Sequence, residues 1–378
     1  MSVEQITYTK EFEQRLPREV ERKFMPIFPE RLEKYRTSSQ PIEQFYLSHP
    51  DESFCLRLRE FIKDGELNYE ATIKDTGTVG VNGLDRTEVT APVSAELYNF
   101  YRSPGAPIVR KLRAEPRPGI TIDYYDDGSV QVESENPSQW QAFVAEHGNI
   151  FAETTGDRAG NNEWRAHLNF RQANDGRETL SPQPELDPSN IVRDIQQQLM
   201  HERTVTVHIG GRSGSGKSTV VREVQARLNG LGMSSTVLST DDYHRGTSWL
   251  TKHNGGEPWT HWDEPIVYDT KTMAIDLKCL QNGQTIRKRE IDWTTAEPHF
   301  TATIEPSEVI IIEGIYALSS DITSSQGLSY EMTTPLATCI GRRLLRDMRE
   351  RPEFADPIKS LGYMMAEAEP AYRRQRTM

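Results

Sequence analysis

Residues 19–24 read EVERKF, within the longer stretch QRLPREVERKFMP. In an extended chain successive side chains point to opposite faces, so Glu19, Glu21 and Lys23 share one face while Val20, Arg22 and Phe24 share the other. One wholly charged face is an ordinary solvated sheet surface. The pattern, however, recurs as far as Glu135. Arg57 and Arg59 stand two apart in CLRLRE, Arg86 and Glu88 in DRTEV, Lys111 and Arg113 in RKLRA, and Glu133 and Glu135 in VESE. Lys74 keeps to the alternation of ATIK, and Asp123 to that of TIDYY. Turn residues such as Asp127-Gly128 separate these short segments, which predicts an antiparallel sheet or barrel.

Closed with the marked faces inward, such a sheet surrounds a wet, charged lumen. It would hold seven cations (Lys23, Arg57, Arg59, Lys74, Arg86, Lys111, Arg113) and six anions (Glu19, Glu21, Glu88, Asp123, Glu133, Glu135). So many buried charges are costly unless they pair, stay hydrated or meet a ligand. The mixture suits a polyanion together with hard metal ions. The cations would take phosphate oxygens, and the carboxylates would take Mg2+ or Mn2+, which prefer oxygen ligands.

The remaining composition narrows the partners. Of 378 residues, 44 are Lys or Arg and 56 are Asp or Glu, a formal charge of −12. That excess disfavours nucleic acid or an anionic membrane as a bulk partner, so any phosphate-binding groups must be gathered locally. Cys55, Cys279 and Cys339 lie far apart and form neither a disulfide framework nor a zinc pattern, which points to a reducing, cytoplasmic setting. The start, MSVEQITYTKEFEQ, lacks the apolar core of a signal peptide, and no run approaches the ~18 apolar residues of a membrane helix. Self-association into a homo-oligomer stays open.

After about Phe170 the texture changes. RQANDGRETLSPQPELDPSN, with Pro182, Pro184 and Pro188, reads as a linker. Beyond it a helix over SNIVRDIQQQLMHER leads to the β-rich TVTVHI, a glycine loop and a further helix, with buried strands at STVLST and EVIIIEGIY. Strands alternating with helices predict a parallel α/β sheet. The expected division is a barrel over 1–171, a linker over 172–195 and an α/β domain over 196–378.

EVERK, LRLR, TIK, RTE, RKLR, IDYY and ESE resemble, in order, the strands of the CYTH, or triphosphate tunnel metalloenzyme, family, and ETTGDRAGNNEWRAHL is similar to that family's closing element. The likeness covers about Met1 to Phe170. It implies an eight-stranded tunnel that binds a tri- or pyrophosphate, or an organic triphosphate, end-on. Glu19, Glu21, Glu133 and Glu135 would coordinate the metal, and Lys23, Arg57, Arg59, Lys74, Arg86, Lys111 and Arg113 would hold phosphates. Glu19, Glu21 and Lys23 would then carry metal-assisted attack of water on phosphorus.

GRSGSGKS, Gly211 to Ser218, fits G-x-x-x-x-G-K-[ST] between a strand and a helix. Backbone N–H groups from Gly211 through Ser213, Gly214, Ser215 and Gly216 to Thr219 would cradle phosphates. Lys217 would reach the β- and γ-phosphates of ATP, and Ser218 would ligate Mg2+. Asp241, with Asp242 as second choice, ends a strand in STDDYHRG and could accept a hydroxyl proton during phosphoryl transfer. Glu313 ends the buried run EVIIIEGIY and suits a place beside Mg2+. In GRRLLRDMRER, Arg343, Arg346 and Arg351 either close over ATP or form a solvated helix face.

GRSGSGKST, STDDYHR, HWDEPIVYD, EGIY and RRLLRD resemble, in order, the uridine kinase and phosphoribulokinase branch of phosphate-loop kinases, over about Thr204 to Arg374. The likeness implies ATP as phosphate donor and a small-molecule acceptor. It departs at the acceptor. Glu264 stands where nucleoside kinases of this group carry His, and Ala296 and Pro298 stand where they carry His and Arg. Two functions follow. In one, a tunnel hydrolase is joined to a small-molecule kinase. In the other, only the tunnel turns over and the second domain senses or scaffolds through bound nucleotide.

Overall fold

A computed structural model describes residues 16–102, 105–174, 186–323, 327–350 and 356–376. The chain forms two compact units. One comprises Met1–Pro182 with Leu336–Gly362, and the other Gln183–Pro335 with Tyr363–Met378.

Among the described residues the first unit holds ten strands: β1 (Arg18–Pro26), β2 (Gln40–Tyr46), β3 (Phe54–Lys63), β4 (Glu66–Asp75), β5 (Thr78–Gly80), β6 (Gly83–Pro92), β7 (Ile108–Arg117), β8 (Ile120–Tyr125), β9 (Val130–Ser134) and β10 (Phe151–Glu153). Eight of them run antiparallel in the order β1-β9-β8-β7-β2-β3-β4-β6, and pairing of β1 with β6 closes the ring. The expected barrel is therefore present. Short β5 and β10 hang on its rim, paired to β6 and β1.

Register explains the alternation of EVERKF. Glu19 lies opposite Arg86 on β6, and Lys23 opposite Glu133 on β9, so the charged face of β1 is the inner one. Outward, Phe24 stacks on Trp140 of the helix Pro137–His147 at 3.8 Å between ring centroids. Phe143, Ile120, Ile122 and Val132 fill the same apolar layer. The barrel thus inverts the common rule for small barrels: its core lies outside the strands, beneath helices, and its polar groups lie within.

The helix Asn162–Ala173 carries Glu163 into the protein at one end of the barrel. Ser48 Oγ donates to this carboxylate, and burial pushes it up to about 7 against the hydrogen bonds from Ser48 and Cys55. Glu52 is also pushed up to about 7, mainly by burial, with the Glu163 charge adding to the effect. Between the ordinary carboxyl value and about pH 7 the folded chain holds these protons while the unfolded chain has released them. Stability contributed by the neutral carboxyls is therefore full at low pH and is lost as pH rises through about 7. Glu163→Gln, which keeps the neutral shape, should flatten that decline by about 1–3 kcal/mol between pH 5 and pH 8, each tenfold difference in proton affinity being worth about 1.4 kcal/mol. Urea midpoints at both pH values check this, and an unchanged pH dependence would refute it.

The second unit is built on β11 (Val205–Gly210), β12 (Ser235–Ser239), β15 (Val309–Gly314) and β16 (Leu328–Glu331), parallel in the order β12-β15-β11-β16. β11 and β15 are buried along their whole lengths, as central strands covered on both faces are. A hairpin of β13 (Ile286–Asp292) and β14 (Glu297–Ile304) stands apart from this sheet. Its turn contains Ala296 at φ +53. The expected parallel α/β sheet is present, with the glycine loop between β11 and the helix Lys217–Gly230. Among the described residues no helix is long and apolar enough to cross a membrane, and Cys55, Cys279 and Cys339 are free thiols.

Candidate functional sites

The barrel encloses a cavity of about 130 Å3. Its wall brings together Glu19, Glu21, Lys23, Arg57, Arg59, Lys74, Arg86, Glu88, Arg113, Glu133 and Glu135. Nearly every charge is paired across strands. Lys74 Nζ lies 2.9 Å from Glu19 and 2.5 Å from Glu88. Arg86 donates to Glu19 at 2.9 Å and to Glu21 at 2.5 Å. Lys23 Nζ lies 3.3 Å from Glu21 and 3.5 Å from Glu133. Burial works against the Glu19 charge, yet Lys74, a hydrogen bond with Glu88, and Arg86 together pull its carboxyl well below the usual range.

Lys111 and Asp123, the two remaining inward charges, are absent from the wall. They form a fully buried pair at 2.6 Å, and Asp123 also accepts both Arg113 Nε and Nη2 at 2.6 Å. Burial and the neighbouring Arg113 push Lys111 down to about 7. Asp123 therefore has its oxygens committed to Arg113 and Lys111, and Arg113 reaches on to Glu133 at 2.6 Å. Lys111 and Asp123 hold Arg113 in place beside the cavity without lining it.

Glu135 differs from the other carboxylates. Burial and then the charges of Glu19, Glu133 and Glu21 raise its carboxyl above the ordinary value. A carboxylate repelled by three others is the place where a hard divalent cation would relieve the field, and every donor there is oxygen. Among the described residues no three carboxylate, imidazole or thiol groups converge on a single metal-ligating point. The reason is visible in the pairing, since Glu19, Glu21 and Glu133 are turned toward Lys74, Arg86 and Arg113.

Tyr46, Cys55, Asn161 and Asn162 complete the wall. The charged alternation does not single them out, although Cys55 stands two residues before Arg57 and Tyr46 is the register partner of Arg57. Asn161 and Asn162 arrive with the closing element, where Asn162 Oδ1 accepts from Tyr125 at 2.7 Å.

In the second unit the loop from Gly211 to Gly216 turns between β11 and the helix Lys217–Gly230. Gly211 must be glycine: its φ is +153, and a Cβ there would lie 2.7 Å from Met332. Ser213, Gly214 and Ser215 carry the turn, Gly216 is left-handed at φ +91, and the Thr219 N–H closes onto Gly216 O at 3.1 Å. Lys217 Nζ curls over the loop, donating to Gly211 O and Arg212 O at 2.8 Å each. Among the described residues Ser215 Oγ is buried without a partner. The Ser218 hydroxyl donates to Glu313 at 3.2 Å and Ser239 donates to it at 2.9 Å. Burial, then the charge of Asp241, raises the Glu313 carboxyl. Ser218 and Glu313 thus offer two oxygen donors beside the loop, a donor set that fits Mg2+. Asp241 lies in the turn after β12, where its N–H meets Ser239 Oγ at 3.3 Å. Asp242 is pushed up to about 6 by burial, with Lys288 opposing and Asp241 assisting.

Arg343 and Arg346 lie on the helix Leu336–Glu350, in the unit that holds the barrel, and both turn toward Asp347 at 3.4 and 3.0 Å. Arg351 lies outside the described residues. At the segment expected to meet an acceptor, Glu264 is ion-paired with Arg374, and Asp263 accepts from Tyr363 Oη at 2.7 Å.

Residues 206–372 match the family model for the phosphoribulokinase / uridine kinase family. Uridine kinase from Staphylococcus haemolyticus is 35% identical over 157 residues, 41% of this chain and 74% of that protein. Among solved structures, a possible uridine kinase from Bacillus stearothermophilus is 17% identical at TM-score 0.34, covering 50% of this chain and 97% of that one. An inorganic triphosphatase is 21% identical at TM-score 0.25, covering 39% of this chain and 93% of that one. A phosphate loop between a strand of a parallel sheet and a helix, a serine and a carboxylate beside it, and identity of this extent over most of a curated kinase agree: through residues 206–372 the chain belongs to the phosphoribulokinase/uridine kinase family.

Proposed function

We propose that the protein combines a triphosphate tunnel of the CYTH kind, hydrolysing a tri- or pyrophosphate, with an ATP-dependent kinase acting on a small-molecule acceptor. The observation that carries the tunnel half is a closed barrel whose buried interior is a mesh of paired charges. Such a mesh is expensive to bury and is offset by a ligand that exchanges partners with it. An entering phosphate chain would take over Lys74, Arg86, Lys23 and Arg113, and the carboxylates so released would be free for Mg2+ or Mn2+. Glu19, Glu21, Glu133 and Glu135 would hold that cation, which supplies neutralisation of phosphoryl oxygens and orientation of water. The cationic walls would bind the chain, keep it extended and stabilise charge on the leaving phosphate.

In the second unit the phosphate loop and Lys217 would bind the ATP phosphates, Ser218 and Glu313 would flank Mg2+, and Asp241 would take the proton of the acceptor hydroxyl. The sensor-only reading keeps one observation in its favour. Glu264 is occupied by Arg374 at the segment where an acceptor is expected, and Ala296 and Pro298 offer no side chain able to hydrogen-bond a sugar or base.

The deciding experiment measures phosphate release from pyrophosphate, tripolyphosphate and ATP with Mg2+ or Mn2+, alongside transfer of label from ATP to a panel of nucleosides and other hydroxyl compounds. Metal-dependent release from a linear phosphate supports the tunnel, and its absence with every substrate overturns it. Transfer to any acceptor removes the sensor-only reading.

A further inference from the structure

One pair of cations in the lumen is balanced differently from the rest. Lys23, Lys74, Arg86 and Arg113 each meet two carboxylates. Among the described residues Arg57 and Arg59, both on β3, share one within ion-pair distance, although the charge of Glu88 also acts on Arg57. That one is Glu70 on β4, the register partner of Arg59, whose Oε1 lies 2.5 Å from Arg59 Nη2 and 3.5 Å from Arg57 Nη2. Arg57 is further fixed by Nη2 donating to Thr72 Oγ1 at 2.9 Å. Among the described residues both guanidinium groups nevertheless keep a buried Nε with no acceptor, and Glu70 Oε1 meets them as an ion pair without hydrogen-bond geometry. An unanswered N–H on a charged donor costs on the order of 1–3 kcal/mol or more, so two side by side mark a place that a ligand oxygen would complete.

Their position gives this pair a distinct task. In the ring β1-β9-β8-β7-β2-β3-β4-β6, β3 stands directly across from β9. The carboxylates that crowd Glu135 come from β1 and β9. A chain held at those carboxylates and extended across the lumen would reach Arg57 and Arg59. Glu70 itself is not on the cavity wall, and its side chain is 12% exposed. It flanks the two arginines from the neighbouring strand, on the same inward face as Thr72 and Lys74, without lining the cavity. Burial and the neighbouring Arg57 push Arg59 down to about 10, and Glu70 opposes that repulsion.

We propose that Glu70 is a positioning residue that clamps Arg57 and Arg59 side by side as the anchoring subsite for the far terminal phosphoryl group of a linear inorganic polyphosphate, so that this wall reads chain length. The proposal rests on the tunnel reading above. It assigns three-phosphate selectivity to a carboxylate that touches neither metal donors nor substrate. A shorter chain held at the β1 and β9 carboxylates stops short of the opposite wall and is indifferent to Glu70.

The test is calorimetric titration of the full-length chain with tripolyphosphate and with pyrophosphate, each with Mg2+, for wild type, Glu70→Gln, Glu70→Asp and Thr72→Val. Glu70→Gln should weaken tripolyphosphate about ten-fold, which is about 1.4 kcal/mol, and pyrophosphate less than about two-fold. Glu70→Asp should recover part of the loss. Thr72→Val, which removes the other anchor of Arg57, should shift the ratio in the same direction and serves if Glu70→Gln fails to fold. Equal weakening for both ligands reports general damage and overturns the proposal, as does no weakening for either. Wild type binding neither ligand overturns the tunnel reading itself, and Glu70 with it.

Discussion

Lys217→Ala is expected to lower ATP affinity and any phosphoryl transfer by the second unit by roughly a hundred- to a thousand-fold, the usual effect of deleting one preorganised donor at a phosphoryl site. The side chain is the only lysine of the loop, and its ammonium now spans Gly211 O and Arg212 O across the mouth of the turn. Those carbonyls hold it near the place where β- and γ-phosphate oxygens would lie, at the N-terminus of the helix Lys217–Gly230. Lys217→Arg should not restore function, because a planar guanidinium fork cannot fold over the same two carbonyls as a compact ammonium does. Folding should survive both changes, since Gly211, Gly214 and Gly216 set the turn and the sheet beneath is apolar. ATP titration and labelled-phosphate transfer measure the loss. Unchanged ATP affinity in Lys217→Ala would remove the loop from nucleotide binding.

Much of this architecture is legible in the sequence because both halves rest on short-range chemistry. Period-two charge in EVERKF, CLRLRE and RKLRA locates the strands and their inner faces, since each inward charge needs a cross-strand partner. The Gly211–Ser218 loop announces its own strand and helix. What sequence does not separate is depth. Lys111 and Asp123 follow the same alternation as Arg113 and Glu133, yet they meet diagonally, Asp123 being the register partner of Arg113, in a buried pair that does not line the cavity. Glu70 and Thr72 also follow it, four and two residues before Lys74, but one carboxylate in YEATIK looks like an ordinary sheet residue. Arg343 and Arg346 carry a pattern equally suited to binding phosphate or to pairing within a helix, and only the fold shows them turned to Asp347. The hairpin of β13 and β14 is likewise hidden, because the turn in IDWTTAEP has neither Gly nor Asn: Asp292 Oδ1 accepts the Thr294 N–H at 2.9 Å and Ala296 takes φ +53.

Glu21→Ala should abolish phosphate release by the barrel, by about a thousand-fold or to background, while leaving the affinity for linear phosphates unchanged or higher. The two directions follow from the pairing. Glu21 is 2% exposed, accepts from Arg86 at 2.5 Å and lies 3.3 Å from Lys23 Nζ. Its removal deprives the carboxylate cluster of a hard oxygen donor but frees two cations for phosphate. Arg86 keeps Glu19 at 2.9 Å and Lys23 keeps Glu133 at 3.5 Å, so neither is left as a lone buried charge. The usual cost of breaking a buried pair, about 3–5 kcal/mol, is thereby moderated, and Glu21→Gln, which preserves volume, controls for it. A KM unchanged or lowered with kcat lost identifies Glu21 with the chemical step; a raised KM with kcat retained would make it a binding residue. Lys217→Ala, assayed in parallel, should leave tripolyphosphate hydrolysis intact. Loss of that hydrolysis in Lys217→Ala with Glu21→Ala fully active would transfer the activity to the phosphate-loop unit and reduce the barrel to a binding chamber.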